Sequence, residues 1–268
     1  MTPRRPLPRP ATPALRLKPL LLSVLVGLIP VISGMLILYW QVDRALMRDS
    51  LSAGQRAIAH LDRTLERADD LTARASNLAG RECKDMLEPM RRMVAQYPAV
   101  RSVAWADTER FFCCSELGSI DRPLSQEMAA MTRLVLRASG LPASNRASLM
   151  FRRYEGSQSL NAVIDAQVLA QNLTYATSGA ELLMLEHNGL YLGNDGEVLP
   201  YRLDHHGEHH AVQTSSLYGY RVHSGYPAGH AATALKAQGM PMLGTLLLLG
   251  VITAGVCHGL SRHGAHAR

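Results

Sequence analysis

The chain has 268 residues, 28 Lys and Arg against 22 Asp and Glu for a formal net charge of +6, 47% hydrophobic and 5% aromatic residues, and four Cys. No charged residue occurs from Leu20 to Trp40 or from Ala237 to Cys257, and a helix of that length, at about 1.5 Å per residue, matches a hydrocarbon core of about 30 Å. This excludes a simple soluble enzyme. The placement of the charge also argues against a nucleic-acid surface, because Arg4, Arg5, Arg9, Arg16 and Lys18 precede the first apolar run and Arg262 and Arg268 follow the second, leaving −1 for everything else.

In chain order, residues 1–19 form a basic tail whose Pro- and Arg-rich start, Pro3 to Pro13, reads as disordered. Residues 20–40 read as a first transmembrane helix. The run is longer than a signal-peptide h-region and no small-x-small cleavage site follows it, so an uncleaved anchor is expected, with Tyr39 and Trp40 at the interface. Basic flanks stay in the cytoplasm, which predicts a translocated domain at 41–236, a second transmembrane helix at 237–257 and a cytoplasmic tail at 258–268. Gly244, Gly250 and Gly255 in the second helix signal either close helix packing or a weak helix.

Within the central domain, Leu51, Ile58, Leu61, Leu65, Ala68, Ala75 and Leu78 recur at mostly three- and four-residue spacing and predict a helix over 41–78 with one apolar seam. Gly80 permits a break, and a second helix is expected at 82–97, stopped by Pro98, with Cys83, Met90 and Val94 on one face. The period then becomes two, predicting strands at 100–106 and 110–116 around a turn at Asp107, Thr108 and Glu109. A helix at 125–137, strands at 148–154, 160–164, 181–187, 190–193 and 218–226, and a helix at 166–174 follow. Helices first and antiparallel strands afterwards indicate an α+β class: long N-terminal helices and an antiparallel sheet in a membrane-anchored, translocated domain flanked by two transmembrane helices.

Three cysteines, Cys83, Cys113 and Cys114, fall in the translocated domain, and Cys257 lies at the end of the second span. In an oxidising compartment a bridge is expected, either between Cys83 and one strand cysteine or between the two neighbours. Adjacent strand side chains point to opposite faces, so only one of Cys113 and Cys114 can face a helix packed on the sheet. From the residues alone three readings stay open: a switch, a permanent staple closing a loop of about 30 residues, worth about 2–4 kcal/mol, or cysteines left unpaired in the core.

Cys83 on a helix, Trp105 on the next strand, then Phe111, Phe112, Cys113, Cys114, Ser115, Glu116, Leu117 and Gly118 resemble the CSS-motif domain, the periplasmic sensor of membrane-bound EAL-type cyclic di-GMP phosphodiesterases. The family pattern is Cys-Ser-Ser, two variable residues and Gly. Counting back from Gly118 places its Cys on Cys113, puts Cys114 where the first Ser is usual, and matches Ser115 to the second. The resemblance implies a redox pair of Cys83 and Cys113 whose state sets the output of a phosphodiesterase, with Cys114 as a spare exchange thiol beside it. It also implies periplasmic thiol-disulfide oxidoreductases as partners. No Glu-Ala-Leu motif occurs in the sequence. The expectation is therefore that the chain does not hydrolyse cyclic di-GMP by itself, and that it acts on an EAL-type partner in trans, pairs with itself as a homodimer, or is a truncated phosphodiesterase.

Other constellations are weaker. Asp204, His205, His206, Gly207, Glu208, His209 and His210 offer metal-ligating groups without a closed-site spacing, and read as a solvated loop whose histidines are weak metal candidates. No Gly-x-Ser-x-Gly elbow, Gly-rich phosphate loop or Cys-x-x-Cys pair is present, and no cofactor is expected. A different class of function would be a periplasmic small-molecule or metal sensor with a purely structural disulfide.

Overall fold

The structure is a computed structural model and describes residues 17–124, 133–138, 147–201 and 207–266. It divides into two compact units, one holding residues 43–231 and the other the chain on either side.

The larger unit begins on helix α1 (Leu17–Ala75), an unbroken helix of 59 residues, followed by a 3-10 turn (Ser76–Leu78) and helix α2 (Cys83–Ala95). The strands β1 (Val100–Ala106), β2 (Arg110–Cys114), β3 (Gly118–Pro123), β4 (Leu134–Arg137), β5 (Ser148–Glu155) and β6 (Gln158–Asp165) form one sheet in the order β3-β2-β1-β6-β5-β4. Helix α3 (Ala166–Ala176) leads to a second sheet of β7 (Leu182–His187), β8 (Leu190–Gly193), β9 (Val198–Leu199), β10 (Glu208–Thr214) and β11 (Arg221–Tyr226), ordered β10-β11-β7-β8-β9. All of these pairings are antiparallel.

One continuous core draws on α1, α2, α3 and both sheets. On α1 the buried positions are Ala53, Ala57, Leu61, Leu65, Ala68, Leu71 and Ala75. The seam is thus two residues out of step at its start with the pattern read from the sequence: Leu51 is exposed and Ile58 only half-buried. Alanine at 53 and 57 lets the helix backbone approach the strands, a choice that hydropathy alone does not register. Polar ties fasten α1 to both sheets. Asp62 accepts hydrogen bonds from Tyr220 Oη at 2.6 Å and Ser215 Oγ at 2.9 Å, and Asp69 pairs with Arg153 at 2.6 Å. Burial, followed by the bond to Asp62, keeps the Tyr220 phenol protonated far above its usual range.

The six-stranded sheet has a second buried face, carrying Ala104, Ala106, Phe111, Cys114, Val135, Met150 and Val163. Burial on both faces explains one departure. The helix expected at 125–137 is not what residues 134–137 form: they are strand β4, paired with β5, while 125–132 lie outside the described residues. Leu134, Val135 and Leu136 are all buried, and so short an apolar run has no period with which to tell helix from strand. Strand β3 and the two-residue β9 were not foreseen, the single expected sheet is two, and the strand expected at 110–116 ends at Cys114.

In the smaller unit, α1 from its start to Val42 and α4 (His230–His266) are long and apolar enough to cross a membrane. A Cβ on Gly27 would come within 2.7 Å of the Gly250 carbonyl oxygen, and one on Gly250 within 2.6 Å of the Gly27 oxygen. The two backbones therefore touch where both residues lack a side chain. Gly244 and Gly255 meet nothing within 4 Å, so of Gly244, Gly250 and Gly255 it is Gly250 that serves packing, and a Cβ on Gly239 would lie against Leu38 at 3.4 Å. Leu25, Ile29, Ile32, Leu36, Leu248 and Val251 are exposed.

Candidate functional site

Helix α2 starts at Cys83 because the preceding chain turns sharply. Gly80 adopts φ +74°, a left-handed conformation that a side chain disfavours, and Glu82 is extended at φ −69°, ψ 148° as the N-cap. Met86 and Met90 are fully buried on the face that follows. Opposite, β1 and β2 form a hairpin whose turn is held by the Asp107 carboxylate, which accepts from the N–H groups of Glu109 at 2.8 Å and Arg110 at 2.7 Å. These two bonds hold the carboxyl below the usual carboxylate range. The pairing sets Trp105 beside Cys113 and Ala104 beside Cys114.

Cys113 faces the main core and is joined to Cys83 by a disulfide, with Cα atoms 5.4 Å apart and the partners 30 positions apart in sequence. Cys114 is a buried free thiol on the other face of the sheet. It is not beside the bridge, because strand alternation sends it the opposite way. A pairing of Cys83 with Cys114 would require β2 to turn over.

The rest of the motif builds the turn that carries Cys113. Ser115 N–H donates to Val103 O at 2.9 Å, and Ser115 Oγ accepts from Val103 N–H at 3.0 Å, closing the end of the β1–β2 ladder. The Ser115 carbonyl accepts from Arg91 Nε at 2.9 Å, which ties α2 to the motif a second time. Gly118, at φ +80°, reverses the chain so that β3 pairs Gly118 with Cys114 and Ser119 with Cys113. Arg91 had no signal in the sequence: it is one of several exposed-looking cations on an amphipathic helix, and only its position over the turn singles it out.

The histidine run departs from the solvated loop expected. His205 and His206 lie outside the described residues, whereas Glu208, His209 and His210 open strand β10. His209 Nε2 is 2.9 Å from Asp43 Oδ1 on α1, and His210 Nε2 is 3.1 Å from His223 Nδ1. His223 in turn meets the buried carboxylate of Glu186, which also pairs with Arg221. These imidazoles are engaged in a hydrogen-bonded network, and among the described residues no group of three or more His, Cys, Asp or Glu is arranged to hold a metal ion. His223 and Glu186 were not singled out in the sequence, since they lie on separate strands 37 residues apart.

On the second face of the six-stranded sheet, the guanidinium of the buried Arg152 donates to Asn161 Oδ1 at 2.8 Å and reaches Tyr154 Oη at 3.4 Å. With Thr108, Gln158 and Ser159 it lines a cavity of about 330 Å³.

Comparison with known families finds that the model of the "CSS motif domain associated with EAL" matches residues 47–238. No curated protein matches the chain. Among solved structures, the sensor domain of the V. cholerae histidine kinase DctB aligns at 10% identity and a TM-score of 0.40, over 55% of this chain and 65% of that one, so the chain spans less than two thirds of that domain's length. The ligand-binding domain of the Campylobacter jejuni chemoreceptor Tlp3 aligns at 9% identity and TM-score 0.48 in its complex with L-valine, over 73% of this chain and 98% of that one. In its complex with 4-methylisoleucine the values are 11%, 0.46, 72% and 94%.

Proposed function

We propose, from the premise that the chain belongs to the CSS motif domain family associated with EAL, that it is the periplasmic redox input of a cyclic di-GMP phosphodiesterase system. In this reading residues 20–40 and 237–257 span the inner membrane, residues 1–19 and 258–268 are cytoplasmic, and 41–236 sense from the periplasm. The output is an EAL domain, acting in trans or as part of a longer phosphodiesterase.

The observation that carries the reading is the Cys83–Cys113 bridge, which ties the start of α2 to the motif strand. Opening it leaves α2 held on that side by packing and by the bond of Arg91 to Ser115, while the chain between α1 and α2 is only a 3-10 turn and a bend around Gly80. A reversible covalent tether at such a joint is a two-state element of the kind a signal requires. The test is thiol alkylation of cells grown under oxidising and reducing conditions, followed by mapping of Cys83, Cys113 and Cys114. A Cys83–Cys113 linkage closed in one condition and open in the other is expected. A linkage closed in both would sink the redox reading and leave a staple.

A second reading, a small-molecule sensor with a structural disulfide, is favoured by the cavity at Arg152. It predicts a metabolite that raises the melting temperature of the protein, with the shift lost in Arg152→Gln.

A further inference from the structure

We propose that Cys83 is the sulfur through which the bridge is made and opened, and that Cys113 is its resolving cysteine; this rests on the redox reading above. The counterpart is a dithiol–disulfide oxidoreductase that docks over residues 80–84.

Burial separates the two residues. Cys83 is half-buried, and its neighbours Gly80, Arg81, Glu82, Lys84 and Asp85 are exposed. Cys113 has no accessible surface: it lies in β2 between β1 and β3, with Trp105, equally buried, as its cross-strand partner. Exchange requires a thiolate to approach the attacked sulfur in line with the S–S bond. The half-buried Cys83, at the exposed start of α2, obstructs that approach less, whereas at Cys113 a protein thiolate would first have to part α2 from the sheet.

Position in the helix separates them again. Cys83 is the first residue of α2, and the N-cap Glu82 makes no side-chain capping bond. The N–H groups of the first turn, with the helix dipole behind them, favour negative charge there. Cys113 sits mid-ladder and has no such support.

During closure the Cys83 thiolate attacks the partner's disulfide, forming a mixed disulfide and expelling the partner's second sulfur as a thiolate. The Cys113 thiolate then attacks Cys83 Sγ, forming the bridge and releasing the partner's first sulfur. Two electrons and two protons pass from the cysteine pair to the partner, which leaves as a dithiol. Reduction retraces these steps, with the partner's thiolate entering at Cys83. Cys114, facing the other side of the sheet, is outside the path.

The test uses the full chain in detergent with Cys114→Ala and Cys257→Ala, which leave the pair intact. It is mixed with a reduced oxidoreductase whose own resolving cysteine is Ser, quenched in acid, alkylated and digested. The conjugate on Cys83 is expected to exceed that on Cys113 by about tenfold or more, and the preference is expected to vanish in urea, where both sulfurs are open. A conjugate mainly on Cys113, no conjugate at all, or a preference that persists in urea would overturn the assignment. Failure of the redox reading is seen separately, as a bridge that never opens in cells whichever sulfur the purified protein presents.

Discussion

Gly118 and Ser115 bracket the turn that places Cys113, and each does so for a reason visible in one residue. At φ +80° an L side chain is strained whatever the space around it, and the nearest atom to a Cβ there, Leu87 Cδ2 at 3.9 Å, is in ordinary contact. The cost of Gly118→Ala is therefore backbone strain, about 1–2 kcal/mol, measurable as a lowered urea midpoint with unchanged slope. Ser115→Ala leaves the Val103 N–H without its side-chain acceptor in a buried ladder, which is expected to cost about 1–3 kcal/mol by the same measurement. Gly118 was legible in the sequence as the last residue of the motif, and its left-handed backbone is what the structure adds. The role of Ser115 was legible only as a motif match, because its partner Val103 lies 12 residues away on another strand.

At the scale of elements, the start of β10 acts as a clasp between segments far apart in sequence. The Glu208 carboxylate accepts from Gly229 N–H at 2.9 Å and Ala231 N–H at 2.7 Å at the head of α4, while His209 beside it meets Asp43 of α1. The bonds from Ala231 and Gly229 hold the Glu208 carboxyl below its ordinary 4.5. A depressed carboxyl stabilises the fold fully above the unfolded value and loses that contribution as pH falls through the folded one. Relative to the intrinsic rate, amide exchange at Gly229 and Ala231 is expected to be protected above the ordinary carboxylate range and to lose that protection as the pH falls below it. Glu208→Gln should show faster exchange at neutral pH and no such acid step. The same segment shows why elements are misread: a run of His, Gly and Glu has loop composition, yet pairing with β11 draws residues 208–214 into a strand.

For the whole molecule, the two apolar helices predict a topology that labelling can test. In a cysteine-free background, a cysteine at the exposed Tyr175 is expected to react in intact cells, once the outer membrane is permeabilised, with a maleimide that cannot cross the inner membrane. A cysteine at Ser261 should react only after lysis. Labelling of both in intact cells, or of neither, would contradict a translocated domain between two spans.

The apolar runs, the later part of the α1 seam through Leu61, Leu65, Ala68 and Ala75, and the hairpin around Asp107 were determined by the sequence itself, because each depends on residues within one or two turns of chain; the motif from Cys113 to Gly118 was legible through the family it resembles. Strand alternation also required that Cys113 and Cys114 face opposite ways. Which of them faced α2 was decided by tertiary structure, as were the division into two sheets, the strand at 134–137, the tie from Arg91 to Ser115 and the joining of His223 to Glu186. Each of these depends on which distant segment supplies the partner. The choice is made by the summed burial and hydrogen bonding of whole faces, which no local pattern contains.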